Sequence, residues 1–261
     1  MNLGKAVKPV LVMFVGLTFV VAAPPATDDG RSELPQAEFQ MARMMYRTRG
    51  GGGSHGYFQP WWAIDYPFAE QHFLPALARM TKLSVADDSR HLPVTDDRIF
   101  DYPFLFMQQP GRGYWNPDQV EAARLREYLL RGGFLFVDDL HNQDWYIFES
   151  SMRRVFPDRP IVAIPPDDQV MHIFFDVNQA IQIPGKRHLR RTYGGQIVAQ
   201  MEGPPGWRGI YDDDQRLMVV INYNMDTGDA WEHADDPDYP VPMTATAYQI
   251  GVNYVIYSMT H

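Results

Sequence analysis

Residues 116–139 read NPDQVEAARLREYLLRGGFLFVDD, and this stretch predicts a helix, a helix stop and a buried strand in succession. Asn116 is a residue type that caps helix N-termini, Pro117 suits the first helical position, and Gln119 is placed as in a capping box. Apolar residues then recur at helical spacing on one face. They are Ala122, Leu125 and Leu129. The pattern therefore predicts an amphipathic helix that begins near Asn116.

The second half of the stretch predicts how that helix ends. Gly132 and Gly133 stop it, because a C-terminal cap favours a residue that adopts a positive φ. Residues 134–137 are continuously apolar, which is typical of a strand covered on both faces. Residues 104–107 form a similar run upstream of the helix. Together they predict a βαβ unit with a right-handed crossover.

Working outward, the remaining pattern predicts one α/β domain over residues 35–261. Residues 50–53, a glycine run, are expected to form a flexible loop. The other predicted strands are 38–46, 82–86 and 161–164, with a hairpin of 209–211 and 217–223 near a sheet edge; the other predicted helices are 67–81, 146–156 and 243–259. Residues 167–207 look irregular.

The N-terminus predicts export. Lys5 and Lys8 precede an apolar run over residues 10–23, and small and polar residues follow it, as in a secretory signal peptide. We expect a signal peptide at residues 1–23, a disordered linker at 24–34, and a periplasmic or secreted protein. The alternative is an uncleaved N-terminal anchor, in which case only this segment meets the membrane.

Composition excludes several classes of function. The chain has no cysteine, so disulfides and thiol catalysis are ruled out. Loss of residues 1–23 removes Lys5 and Lys8 and moves the formal net charge from −9 to −11. An acidic protein is expected to bind nucleic acid poorly, because contacts with phosphate groups need clustered Lys and Arg. Residues 186–191 form the one basic cluster, which reads as a solvated face.

Four loops are expected at the carboxyl ends of the strands, where ligands bind in open parallel sheets. They cover residues 49–65, 108–116, 138–144 and 165–172. Their aromatic, basic, acidic and imidazole side chains make them candidates for contacting a ligand. The candidate ligand-binding residues are Trp61, Asp65, Arg112, Trp115, Asp138, Asp144 and His172.

The turn after the central strand offers three interpretations. Asp138, Asp139 and His141 are candidate ligands of a divalent metal, through carboxylate and imidazole. Alternatively, Asp139 and His141 are catalytic, with the pKa of Asp139 raised by the buried strand beneath it. The third interpretation is structural: Asp144 caps the next helix, and the aspartates accept backbone N–H groups in their own turn.

The order of motifs resembles a bacterial family, the domain of unknown function numbered 4159. The resemblance covers about residues 36–258 and rests on Asp101–Phe106, the helix end at Leu125–Gly133, and above all the Gly-Gly-Phe-Leu-x-x-Asp-Asp core at 132–139. Residues 62–67 and 251–257 also resemble it.

That family is similar to the class I glutamine amidotransferase-like superfamily. The resemblance implies a flavodoxin-like, open and mostly parallel sheet with helices on both faces. It also implies that the turn after residues 134–137 corresponds to the nucleophile elbow of the superfamily. Asp138, Asp139 and His141 stand where the amidotransferase cysteine would be, so amidotransferase activity is excluded.

Three hypotheses about function follow. The first is an exported protein that binds an unknown small molecule or partner at the carboxyl edge of its sheet. The second is a hydrolase-type enzyme that uses Asp139 and His141, with or without a divalent metal. The third is a non-catalytic partner in the assembly of envelope proteins. The cofactor is unidentified, and a divalent metal is the candidate.

Overall fold

A seven-stranded sheet forms the centre of the computed structural model, which describes residues 35, 37–54, 57–201 and 203–261. The predicted signal peptide and linker, residues 1–34, lie outside the described residues. In chain order the elements are β1 (Ala42–Met45), β2 (Gly51–Ser54), β3 (Tyr57–Pro60), α1 (Phe68–Thr81), β4 (Arg90–Pro93), β5 (Phe104–Gln108), α2 (Gln119–Leu130), β6 (Phe134–Leu140), α3 (Asn142–Val155), β7 (Val162–Ala163), β8 (Leu189–Arg191), β9 (Ile197–Ala199), β10 (Gly206–Tyr211), β11 (Leu217–Tyr223), α4 (Thr227–Glu232) and α5 (Val241–Thr260). Short 3-10 helices lie at Trp61–Ala63, Asp97–Asp101, Gln169–Met171 and Lys186–His188.

The strand order across the sheet is β4-β1-β5-β6-β11-β10-β7. The first five strands in that order are parallel, while β10 runs antiparallel to both of its neighbours. The pairs β2–β3 and β8–β9 form two separate hairpins. The chain therefore has a mixed α/β fold with a mostly parallel central sheet. Its edge strands, β4 and β7, have four and two residues.

Helices cover both faces of the sheet, which explains the continuously apolar strands. Phe104, Phe106 and Phe136 belong to the core cluster formed with α1, α4 and α5, whereas Leu105 and Val137 belong to the cluster formed with α2 and α3. Successive side chains of a strand point to opposite faces, so a strand buried on both faces needs no polar position. Each fully buried side chain of this size contributes about 1.5–3 kcal/mol.

The predicted βαβ unit is confirmed, although α2 begins later than predicted. Asp118, not Asn116, is the N-cap: its carboxylate accepts from the N–H groups of Val120 and Glu121, and Glu121 returns the capping-box bond to the Asp118 N–H. Gly132 has a φ of 105° and ends the helix. At Gly133, a Cβ would lie 2.3 Å from the ring of Tyr128.

Other predictions require correction. The predicted strand at 82–86 is wrong: only an isolated bridge joins Phe39 to Val85, and the edge strand is β4. The glycine run predicted as a loop at 50–53 is mostly strand, because residues 51–53 begin β2. The predicted hairpin is confirmed as β10–β11, but β11 lies inside the sheet, because it pairs with β6 on its other side. The region 167–207 contains β8–β9.

Two further boundaries differ from the prediction at the functionally interesting edge of the sheet. Strand β6 continues through Asp138 and Asp139 to Leu140, and does not end at Val137. Helix α3 begins at Asn142 with His141 as its N-cap residue, so Asp144 lies within the first turn and is not the cap. Among the described residues, no helix has both the length and the apolar character that a membrane crossing requires.

Candidate functional site

A cavity of about 760 Å³ opens at the carboxyl ends of the parallel strands. The segment between β3 and α1 contributes Trp61 and Asp65, the loop after β5 contributes Gln109 and Arg112, and the turn after β11 contributes Asp226. This position spans the boundary between β1 and β5, where the strand order reverses. Ligands of open α/β sheets bind at such a point. Three predicted ligand-binding residues, Trp61, Asp65 and Arg112, therefore line one cavity.

Four buried carboxylates form what we call the acidic floor: Asp65, Asp138, Asp139 and Asp226. Asp65 has a φ of 68°, and one of its carboxylate oxygens accepts from Gln108 Nε2 at 2.5 Å. Burial raises the pKa of Asp65 well above its ordinary range, and the neighbouring charges of Asp229 and Glu232 raise it further. Because unpaired buried charge is costly, this arrangement favours a positive group beside the carboxylates.

Asp138 is held by the first turn of α4. Its Oδ2 atom accepts from the Gly228 N–H at 2.8 Å. Only glycine fits at position 228, because a Cβ there would lie 2.4 Å from Asp65 Oδ2. Burial raises the pKa of Asp138 to about 7, against the opposing effect of the Gly228 hydrogen bond, and the charge of Asp139 adds to the increase.

Asp139 and His141, the predicted catalytic pair, lie together at the end of β6. Asp139 is 1% exposed and has a φ of 54°, an uncommon conformation for a residue other than glycine. Its Oδ1 atom lies 2.5 Å from His141 Nε2, while its Oδ2 accepts from the side-chain amide of Gln109. Burial alone would lower the pKa of His141, but the charge of Asp139 and its hydrogen bonds raise it.

Asp226 completes the acidic floor from the turn after β11, the strand that pairs with β6. It is the N-cap residue of α4, and its Oδ1 accepts from the Asp229 N–H at 3.1 Å. Burial raises the pKa of Asp226 well above its ordinary range, with a further contribution from the charge of Asp139. A Cβ on Gly185 would lie 2.6 Å from Asp226 Oδ2, so the opposing backbone closes tightly on this carboxylate.

Basic and aromatic side chains surround the mouth of the cavity. The guanidinium of Arg112 lies 4.8 Å from the ring centre of Trp61, whose Nε1 donates to the Arg49 carbonyl at 3.2 Å. Lys186 and Arg187 also line the cavity, and Lys186 pairs with Asp236. Within the described part of the chain, neither Arg112 nor Arg187 forms a salt bridge.

Asp144 lies near Asp139 of the acidic floor but does not line the cavity. The loop after β5 packs closely against it, since a Cβ on Gly111 would lie 2.5 Å from Asp144 Cβ. Burial raises the pKa of Asp144, and the charge of Asp139 contributes in the same direction.

Two predicted ligand-binding residues lie elsewhere. Trp115 is 3% exposed and packs in the core, with its ring 6.0 Å from that of Phe148. His172 makes its contacts with Asp176 at 3.0 Å and with the Pro166 carbonyl at 2.8 Å. It does not line the cavity, because the chain after β7 turns onto the face of the sheet that α5 covers.

Local sequence patterns did not single out the acidic side chains of α4 or His233, the residue that follows this helix. Within the described residues, two groups have the composition of a metal site, and the ligand atoms of each lie within 4.8 Å of one another. They are Asp139, His141 and Asp226, and Asp229, Glu232 and His233. Asp138, a predicted metal ligand, is in neither group. The carboxylates that follow strand β11 were the signal available in the sequence.

A family model covers most of the chain. The model described as "Domain of unknown function (DUF4159)" matches residues 42–259. The match begins with β1 and ends one residue before the end of α5, so it includes the whole central sheet, the cavity and the acidic floor. No curated protein matches the chain.

Proposed function

The chain belongs to the DUF4159 family, and we propose that it is an exported α/β protein that binds a small molecule with a carboxylate or phosphate group in the cavity at the carboxyl edge of its sheet. The observation that carries this proposal is the cavity of about 760 Å³ at the point where strand order reverses. Small-molecule sites have volumes of about 300–1,000 Å³ and prefer such positions. Export is supported by Lys5, Lys8 and the apolar run that follows them.

The order of the parallel strands supports a flavodoxin-like classification. Numbered along the chain, β1, β4, β5, β6 and β11 are the first to fifth parallel strands, and they lie in the order 2-1-3-4-5. This is the flavodoxin-like order. A likeness to the class I glutamine amidotransferase-like superfamily is supported by the positive φ of Asp139 near the end of β6, shortly before α3 begins. Without cysteine, the chain cannot perform that superfamily's thiol chemistry.

The charges at the mouth support an anionic ligand. Arg112 lies over Trp61, and stacking on an aromatic ring leaves the edges of a guanidinium group able to donate. Carboxylate and phosphate groups accept such paired N–H donors well. Arg187, which also lines the cavity, supplies a second cation. An anionic group is therefore expected near Arg112, with the rest of the molecule toward the acidic floor.

A second candidate function is hydrolysis by Asp139 and His141. It is favoured by the 2.5 Å separation of Asp139 Oδ1 and His141 Nε2, next to Gln109 and Asp226, which line the cavity. An imidazole beside a buried carboxylate can act as a general base toward water. Turnover that Asp139→Asn abolishes while the fold survives would establish this function, whereas a purely binding protein shows none.

Thermal denaturation in the presence of small carboxylates and phosphates tests the binding proposal. A ligand at 100 times its Kd adds about 2.7 kcal/mol of stability, which corresponds to a rise in Tm of about 5–10 °C for a domain of this size. Arg112→Gln is expected to remove most of that rise. Arg131→Gln, an exposed arginine at the end of α2, is the matched control and should keep it. A Tm that no member of a broad panel changes would contradict the proposal.

A further inference from the structure

We propose that Asp139, His141 and Asp226 bind a divalent transition-metal ion, Zn²⁺ or Mn²⁺, in the acidic floor of the cavity. The inference deepens the proposed function and rests on it in one respect, that the metal's open positions face the ligand. The three residues come from the end of β6, the N-cap of α3 and the N-cap of α4. Their ligand atoms lie within 4.8 Å of one another, which brings one nitrogen and two oxygen ligands into a single group.

Two buried ligand atoms converge at the bottom of the cavity. Asp139 Oδ1 and His141 Nε2 lie 2.5 Å apart, and apart from this contact with each other neither has a partner with hydrogen-bond geometry among the described residues. Asp139 is 1% exposed, so bulk water cannot hydrate this oxygen in place of a protein donor. A metal ion is bound where ligand atoms converge in this way.

The hydrogen bonds of Asn224 fix the tautomer of His141. Asn224 Nδ2 donates to the Gly203 carbonyl at 2.8 Å, which orients the amide so that Asn224 Oδ1 faces the imidazole. His141 Nδ1 lies 3.1 Å from that oxygen and therefore carries the proton. In the neutral ring, Nε2 then presents a lone pair toward Asp139. Metal-binding histidines are fixed in the same way, by a donated N–H on the far side of the ring.

The balance of charge in the acidic floor also favours a cation. The acidic floor holds four carboxylates, and the nearby guanidinium of Arg43 is already bonded to Glu70 through Nε and Nη2. The carboxylates of Asp139 and Asp226 each have one oxygen held by a protein donor, from Gln109 and from the Asp229 N–H. Each therefore has its other oxygen available for an ion. A divalent cation would offset the excess negative charge that burial makes costly.

The donor set selects the class of metal. One imidazole nitrogen and two carboxylate oxygens, with no sulfur in the chain, suit Zn²⁺, Mn²⁺ or Fe²⁺ better than the all-oxygen preference of Ca²⁺ and Mg²⁺. Three protein ligands leave at least one position for water or for an anionic group of the ligand, as in catalytic metal sites. Arg112 and Arg187 lie at the mouth, where they can hold the remainder of such an anion.

Isothermal titration of chelator-treated protein with Zn²⁺ and Mn²⁺ tests the site, and Co²⁺ substitution reports nitrogen and oxygen ligation by its visible absorption. We expect one equivalent bound, with affinity reduced more than about 100-fold in His141→Ala and in Asp226→Asn, and about 10–100-fold in Asn224→Ala. His172→Ala is the matched control, because that imidazole contacts Asp176 and lies away from the cavity; it should bind as the unaltered protein does. Far-ultraviolet circular dichroism establishes whether each variant is folded. If His141→Ala does not fold, the metal affinity of Asp226→Asn decides whether the site exists.

Two results would overturn the proposal: no binding of Zn²⁺, Mn²⁺ or Co²⁺, or binding that His233→Ala abolishes and His141→Ala leaves intact. The second result would assign the ion to Asp229, Glu232 and His233. Titration with inorganic phosphate separates this inference from the proposed function. Metal binding without any Arg112-dependent phosphate binding retains the metal site and contradicts the anionic ligand. Phosphate binding that requires Arg112 but no added metal would support the anionic ligand of the proposed function. It would contradict the inference that a metal ion forms part of the ligand's binding site.

Discussion

Replacement of Arg43 by methionine should lower the free energy of unfolding by about 3–5 kcal/mol, the usual cost of removing one partner of a buried ion pair. Arg43 is fully buried in β1. Its Nε and Nη2 atoms donate to the two carboxylate oxygens of Glu70 in α1 at 2.9 and 3.0 Å. Among the described residues, the substitution leaves the buried Glu70 carboxylate with one remaining side-chain donor, the hydroxyl of Ser89 at 3.0 Å.

Other contacts of Arg43 place the estimate toward the upper end of that range. Its Nη1 donates to the carbonyls of Trp62 and Ile64 at 3.2 and 2.9 Å, and both lose their partner in the variant. The guanidinium also lies 4.8 Å from the ring centre of Phe106, a contact that methionine restores only through its apolar atoms. Because Trp62 and Ile64 precede Asp65, the variant should loosen the segment that carries one wall of the cavity.

Differential scanning calorimetry at pH 7 measures the effect. At about 2–4 °C per kcal/mol for a domain of this size, Arg43→Met should lower Tm by about 6–20 °C. Arg47→Met is the matched control, four residues along the chain. Arg47 is 74% exposed where it pairs with Asp118 and Glu121, and exposed pairs contribute about 0–1 kcal/mol. Equal decreases in Tm for the two variants would refute the argument from burial.

Three further variants test other parts of the fold. Burial, with the charge of Arg43, lowers the pKa of His91 to about 4. As the pH falls from about 6.5 toward 4, the unfolded chain therefore binds a proton that the folded protein does not, and the free energy of unfolding decreases by about 1–2 kcal/mol after allowance for solvent screening. His91→Gln should flatten a plot of Tm against pH over this range. Asp118→Ala removes the cap of α2 and should cost about 1 kcal/mol, or 2–4 °C in Tm, whereas Asp118→Asn should keep most of it; an unchanged Tm in the alanine variant contradicts the cap. Gly133→Ala places a Cβ 2.3 Å from the buried ring of Tyr128 and should lower the urea midpoint by the equivalent of about 1–3 kcal/mol, which a variant as stable as the original protein would disprove.

The βαβ unit could be predicted because its signals are local. A proline and an acidic cap, apolar residues at helical spacing, two glycines and an apolar run all lie within residues 116–139. The helix start was misplaced by two residues because Asn116 and Asp118 are both good caps, each with a capping-box residue three positions later, and the structure uses Asp118 with Glu121 rather than Asn116 with Gln119. Asp139 and His141 were both expected after the central strand because they lie two residues apart in the chain, and the structure has them in contact where β6 ends and α3 begins.

The rest of the site depends on contacts that local patterns do not contain. Asp226 reaches Asp139 only because β11 lies next to β6, and the sequence of a hairpin does not state which strand its outer side will join. Strand β4 was missed because it has one buried apolar residue, Leu92, and is extended through its pairing with β1. Trp115 was expected to contact a ligand because its loop position gave no sign of burial. Its burial depends on packing against Phe148 of α3, a contact that the local sequence does not show.

The lengths of the edge strands affect how the protein behaves beside copies of itself. An exposed strand edge is a template on which a second chain can add a strand, and natural sheets protect theirs by shortness, charge and proline. Here β7 has two residues between Pro160 and Pro165, and β4 begins with Arg90 and ends at Pro93. The long apolar strands β5, β6 and β11 all lie inside the sheet. The fold thus keeps its most aggregation-prone sequences out of reach of neighbouring molecules, a property that a crowded compartment would favour.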